Sequence, residues 1–407
     1  MSADIGRIVV IGGGIGGVAV CAALRGGGFA GELVLVDAGE FPYDRPPLSK
    51  AYLAGEKDDK AIALQPPEWY DLQHVQLVNR TRVLRVDPDI MTVHTDNRDF
   101  RADRIVLAMG GRAARPPIPG ADDDRVHVLR DLEDAQRLRD LLRQGTRVLV
   151  VGAGLIGAEV ASTLVDLGAA VTLVDAVERP LEAVVGTELA TWMHAAHVPR
   201  GIEVRQAGVE RLEPTDSGVV ATLTDGSTPV VADAVVLGVG MVPSDDIART
   251  AGLDVDRGVI VDEHQETSHR GIYAVGDVAR QRGTGGSLLH RAEHWEAAQD
   301  DAARVAAHVL GKEAPASRAS WFWTDRHGHH VEVVGTLAGD PELVWRGSAG
   351  EEPFAVFAVE GGRVVGAFAV DDTKVVRAAR RLIDQRIEVD RGALADQSLD
   401  PRKLIKR

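Results

Sequence analysis

Hydrophobic residues in this chain fall into short continuous runs separated by segments of helical periodicity, the pattern of buried strands alternating with helices. Two stretches repeat one order. RIVVI from Arg7 runs into Gly12, Gly14 and Gly17; a helix-patterned segment follows, then LVLV, closed by Asp37. RVLVV from Arg147 runs into Gly152, Gly154 and Gly157; another helix-patterned segment follows, then VTLV, closed by Asp175. Strand, glycine turn, helix, strand and acid together predict two dinucleotide sites. The glycines allow a tight turn and close approach of backbone N–H groups to a pyrophosphate, which a helix N-terminus attracts, and the acid accepts hydrogen bonds from a ribose. Two different nucleotides in one chain point to a flavin and a nicotinamide, and so to a protein that moves electrons.

The fingerprints also divide the chain. Residues 1–112 hold the first and residues 113–240 the second. Residues 241–320 rejoin the first part and contain TSHRGIYAVGD, from Thr267 to Asp277. There IYAV reads as a buried strand, Gly276 lets backbone approach a ligand and Asp277 offers a carboxylate to its hydroxyls, although an ordinary acid at a strand end would look the same. From residue 321 the pattern changes to antiparallel strands, HVEVVG, PFAVFAV and GRVVGAFAV, with an EGG turn between the last two and a helix from Asp371 to about Gln385. The expected fold is α/β, with two Rossmann-like domains arranged as in glutathione reductase. One nucleotide-binding domain comprises residues 1–112 and 241–320, the other residues 113–240, and residues 321–407 form a C-terminal α+β domain.

Composition narrows the function. With 407 residues, 45% of them hydrophobic, the chain can build two to three cores. Asp and Glu number 61 against 46 Lys and Arg, so a general affinity for nucleic acid or anionic membrane is not expected. No run approaches the roughly 18 apolar residues of a membrane span, and the apolar start at Ile8 lacks a basic leader and a cleavage site, so a cytoplasmic protein is expected. The single cysteine, Cys21, excludes an internal disulfide relay and an iron–sulfur cluster held by four thiolates. It reads as a small buried apolar residue.

Several segments are similar to one family. GGGIGG from Gly12, PYDRPPLSK from Pro42 to Lys50, LAMGGRAARPP from Leu107 to Pro117, GAGLIGAEVA from Gly152, GVGMVPS from Gly238, IYAVGD, EHWEAA from Glu293 and WFWTD from Trp321 resemble the NADH-dependent ferredoxin reductases that serve bacterial oxygenases. That group includes putidaredoxin reductase, rubredoxin reductase and apoptosis-inducing factor. The resemblance spans essentially the whole chain, and RPPLSK with WFWTD is its most specific part. It implies FAD on Gly12, Gly14, Gly17, Asp37, Arg45, Lys50, Ala108, Gly110, Asp277, His294 and Trp295. It implies NADH on Gly152, Gly154, Gly157, Glu159, Asp175 and Gly240. Lys50, Glu159 and Trp323 are then the residues nearest the chemistry, with no metal. Hydride would pass from NADH to FAD, and electrons would leave singly to a ferredoxin that feeds a Rieske oxygenase or a haem-thiolate monooxygenase.

Simpler readings stand beside these. Lys50 on its own looks like a solvated lysine, Glu159 like a first-turn acid favoured by a helix dipole, and the tryptophans like core residues. The family pattern near WSDQ is replaced by Trp323, Thr324, Asp325 and Arg326, which puts charge near the flavin edge or the partner surface. His327, His329 and His330 read as a solvated turn, since neighbours on an extended segment face opposite ways and no ligand spacing completes a metal site. Asp175 favours NADH over NADPH, with Arg179 the one nearby cation. From Lys374 onward ten Lys or Arg stand against five Asp or Glu, which suits docking of an acidic ferredoxin or a plain solvated helix face. A monomer or homodimer is expected. Rival functions are a rubredoxin reductase, a binding protein of the apoptosis-inducing-factor type, and a disulfide or peroxide reductase, for which GEFPYDRPP lacks the cysteine.

Overall fold

The computed structural model describes residues 5–283 and 285–405 in two compact units. The first unit comprises residues 1–45, 57–112 and 241–317. Its centre is a parallel five-stranded sheet in the order Ile272–Ala274, Arg104–Leu107, Arg7–Ile11, Glu32–Val36, Val75–Val78. Side chains alternate across this sheet, so the continuous apolar runs feed two cores. Ile8, Val10, Leu33 and Leu35 pack beneath the helices Ile15–Gly26 and Trp295–Val309, whereas Val9, Ile11, Val34 and Val36 fill the opposite face. Cys21 is buried in the first core, where desolvation pushes its thiol up to about 12.

The second unit comprises residues 46–56, 113–240 and 318–407. It repeats the parallel sheet in the order Glu203–Gln206, Ala170–Asp175, Arg147–Val151, Ala234–Leu237, Val126–Val128. A separate antiparallel sheet runs Trp321–Arg326, His329–Gly335, Arg363–Val370, Glu351–Glu360, Glu342–Ser348. Its first and last strands were not foreseen from the sequence, because WFWTDR and ELVWRGS mix charge into the alternation. The helix expected after it is Thr373–Asp384, with the Asp372 side chain accepting from the Val375 N–H, and it buries Val375, Val376, Ala379 and Leu382. Buried Arg346 donates to the carbonyls of Leu394, Asp396, Gln397 and Leu399, which fastens the end of the chain to the sheet. The units cut the chain differently from the three sequence segments: Pro46–Glu56 and the C-terminal sheet group with the second fingerprint.

Candidate functional site

Each glycine of the first turn has its own steric reason. Gly12 has φ +109°, and a Cβ there would run into the Ala108 carbonyl. Gly17 lies so close to the Gly12 carbonyl that only hydrogen fits. Gly14 is the N-cap residue of the helix Ile15–Gly26 and faces open space, with nothing within 4 Å of where its Cβ would be. Open space at the positive end of a helix suits an anion. The Asp37 carboxylate accepts from the N–H groups of Gly13 at 2.8 Å and Gly39 at 3.1 Å, which fixes it beside the turn.

The second turn reproduces this geometry. Gly152 has φ +98° against the Gly238 carbonyl, Gly157 abuts the Gly152 carbonyl, and Gly154 caps the helix Leu155–Asp166 with open space around it. Asp175 accepts from the Ala153 N–H at 2.7 Å and the Val177 N–H at 2.8 Å. Arg179 is ion-paired to Glu178 and Glu182. Gly240 has φ +104°, just past the strand Ala234–Leu237. These residues fit a dinucleotide: a pyrophosphate on the helix end and a ribose on the acid, whose oxygens each keep a lone pair.

Glu159 is a buried carboxylate held from several sides in the second unit. It lies beyond the first turn of its helix, so the helix end does not explain it. Only 3% of its side chain is exposed. It accepts from Ser49 Oγ at 2.6 Å, Thr324 Oγ1 at 2.7 Å and the Asp325 N–H at 3.3 Å, and it pairs with Lys50 Nζ at 3.1 Å. Lys50 is 16% exposed, lies 3.5 Å from Asp325 and sits 5.6 Å from the centre of the Trp323 ring. It is therefore a held cation and not a solvated lysine. Trp321 stacks on Trp323 with ring centres 4.9 Å apart and donates its Nε1–H to Glu332. Lys50, Glu159 and Trp323 are thus brought together, and they are joined by Ser49 and Thr324, which lie in the RPPLSK and WFWTD segments but carry no role in the sequence reading.

Two expectations about the next residues are corrected, a partner-surface position for Arg326 and a solvated turn for the histidines. Arg326 is not at a surface: it is 6% exposed, on the same strand face as Phe322 and Thr324, beside Glu159. Desolvation lowers it to about 10, against the pull of Glu159. The histidines are not a solvated turn. His327 and Gly328 form a tight hairpin, both with positive φ, joining the strands Trp321–Arg326 and His329–Gly335. His327 is buried, its N–H donates to Ser162 Oγ, and its Nε2 meets Nδ1 of fully buried His197 at 2.8 Å. Burial depresses both, His327 to about 4 and His197 to about 2. His329 pairs with Asp371 and His330 with Asp325. Among the described residues no group of three or more His, Cys, Asp or Glu could hold a metal.

The remaining candidates of the first unit lie on several of its segments, the IYAVGD turn among them. Gly276 has φ +68°, a conformation that favours glycine, and Asp277 follows it in a short 3-10 turn. The helix Trp295–Val309 begins at Trp295, with His294 as N-cap. Trp295 Nε1 donates to Asp44 Oδ1 at 2.8 Å. Desolvation lowers His294, against the opposing pull of Asp277 and Glu293. Arg45 is half-buried, Ala108 is buried beside Gly12, and Gly110 has φ +62° and accepts at its carbonyl from the Ser244 N–H. Asp301, on the same long helix, is a further member that sequence reasoning missed: its carboxylate accepts from the Gly276 N–H at 3.0 Å.

The chain matches the family model for pyridine nucleotide-disulphide oxidoreductases over residues 6–302 and that for the reductase C-terminal domain over residues 321–405. It is 34% identical over 408 residues to putidaredoxin reductase of Pseudomonas putida, covering 98% of this chain and 96% of that one. It is 36% identical over 403 residues to the ferredoxin–NAD(+) reductase component of the p-cumate 2,3-dioxygenase system of the same species, covering 98% of each. The solved covalent complex of putidaredoxin reductase with putidaredoxin matches with a TM-score of 0.91 at 33% identity, over 98% of each chain.

Proposed function

This chain belongs to the pyridine nucleotide-disulphide oxidoreductase family, among the ferredoxin reductases of oxygenase systems, and we propose that its two glycine turns divide the work, FAD in the first unit and NADH in the second. The observation that carries this reading is the duplication itself: two turns, each with an open glycine at a helix start and an acid tied to the turn's own backbone. Bound FAD would take a hydride from NADH and give its electrons singly to the iron–sulfur cluster of a ferredoxin.

The chain's own residues do the rest. Gly12, Gly14 and Gly17 admit the FAD pyrophosphate and Asp37 takes the adenosine ribose. Gly276 and Asp277 take the ribityl hydroxyls, with Arg45, Ala108, Gly110, His294 and Trp295 completing the cradle. Gly152, Gly154, Gly157 and Gly240 admit the NADH pyrophosphate, and Asp175 takes its ribose. Arg179, already neutralised by two glutamates, gives no cation for the extra phosphate of NADPH. Lys50, Glu159 and Trp323 serve the nicotinamide end, where fixed charges and a flat ring orient the reacting group and exclude water.

The proposed partner is an acidic ferredoxin that meets the exposed Lys374, Arg377 and Arg381. The complex of the related reductase with putidaredoxin supports a ferredoxin partner. A cytoplasmic location suits a chain whose single cysteine is a buried free thiol. Purified protein should be yellow and should bleach anaerobically with NADH far faster than with NADPH. Protein that takes up no FAD, or a flavin that NADH leaves oxidised, would refute the reading.

A further inference from the structure

The helices Ile15–Gly26 and Trp295–Val309 of the first unit pack closely because their contacts are small. A Cβ on Gly16 would lie 3.8 Å from Ala298 Cβ, and one on Gly276 would lie 3.2 Å from the same atom. Ala298 is buried, so the turn at Gly276 rests directly on the helix. Asp301 is three residues further along, on the same helix face. Its side chain is 16% exposed, with Oδ2 accepting from the Gly276 N–H and Oδ1 from Arg304 at 3.0 Å. A carboxylate in so dry a place must have a task that offsets its desolvation. Nothing in the assigned chemistry uses it.

We propose that Asp301 is a positioning residue for the flavin: it holds the Gly276 amide, and with it the turn that presents Asp277, in the conformation that retains FAD. The proposal rests on the assignment of FAD to the first unit. Asp301 touches the turn and not the reacting atoms, so its effect is on cofactor retention. Its ionisation matters because a charged acceptor binds an N–H about twice as strongly as a neutral one. Burial raises this carboxyl to about 6; the Gly276 N–H and Arg304 oppose the rise and Asp300 adds to it. The helix Ile15–Gly26 packed against it carries only Cys21 and Arg25 as titratable groups, and Arg25 is in its last turn. The carboxylate that grips the turn is therefore present above about pH 6 and lost below it.

The test uses the holoprotein, with FAD release after dilution followed by the rise in flavin fluorescence from pH 5 to pH 8, and secondary structure followed in parallel. Wild type should release FAD about fivefold faster at pH 5 than at pH 8, with a midpoint near 6. Asp301→Asn keeps a neutral acceptor and should give a flat profile, and Asp301→Ala should release FAD about tenfold faster than wild type at pH 8. An Asp301→Asn profile that keeps the midpoint near 6, or Asp301→Ala protein that folds and retains FAD like wild type, overturns the proposal. If Asp301→Ala does not fold, Asp301→Asn alone decides. A wild-type protein that never takes up FAD overturns the cofactor assignment itself, an outcome distinct from a failed pH profile.

Discussion

Removing the charge of Glu159 should destabilise the second unit, and the size of the effect follows from its partners. Its carboxylate takes two hydroxyls and one amide and faces Lys50 at 3.1 Å, with 3% of the side chain exposed. Breaking a buried ion pair from one side costs about 3–5 kcal/mol. Glu159→Gln keeps one oxygen for a hydroxyl, and Lys50 keeps Asp325 at 3.5 Å and some solvent. The expected cost is therefore lower, about 2–3 kcal/mol. Lys50→Met leaves Glu159 with its three hydrogen bonds and should cost about 1–2 kcal/mol. The double variant should cost about 1 kcal/mol less than the sum. Urea unfolding followed by tryptophan fluorescence measures all four proteins. Additivity within about 0.5 kcal/mol would refute a direct pairing of the two charges.

Other expectations are independent of that pair. Asp175→Ala with Val177→Arg should swing the NADPH-to-NADH ratio of kcat/KM by at least tenfold, since it removes a repulsive carboxylate and adds a cation; an unchanged ratio would show that Asp175 does not face the ribose. Reversing Lys374, Arg377 and Arg381 to Glu should slow ferredoxin reduction about tenfold at low salt, with the difference closing at high salt. Arg380 is left out because it donates to the Ala319 carbonyl. Rates independent of both charge and salt would place docking elsewhere. His197 and His327 stay neutral in the fold down to about 2 and about 4 but accept protons near 6.5 when unfolded. Stability is thus full above pH 6.5 and falls on acidification at roughly 1.4 kcal/mol per pH unit for each histidine. Urea midpoints at pH 7, 6 and 5 should show this, and His327→Gln should flatten the slope.

Much of the site was legible because its constraints are local. A tight turn, an abutting carbonyl and an open helix start each demand glycine at a fixed offset, and the acid closes back on its own turn, so both fingerprints are written within about thirty residues. The partners of Glu159 were not legible, since Ser49 lies 110 residues away and Thr324 165. No periodicity connects them. The burial of Arg326 was not legible for another reason: WFWTDR reads as a motif, whereas it forms a strand. As a strand its alternation puts Phe322, Thr324 and Arg326 on the buried face and Trp321, Trp323 and Asp325 on the other, as observed. His327 reads from the sequence as part of a solvated turn because no ligand spacing surrounds it, and nothing local announces that Ser162 and His197, more than a hundred residues away, pack against it.

The central claim is that one chain takes two electrons from NADH and hands them on singly. The direct measurement adds one equivalent of NADH, without oxygen, to the purified yellow protein with an excess of each of several oxygenase-type ferredoxins, and counts clusters reduced by absorbance. The account expects two ferredoxins reduced per NADH for at least one of them. A flavin that bleaches with NADH while every ferredoxin stays oxidised, or a protein that holds no flavin, would contradict it.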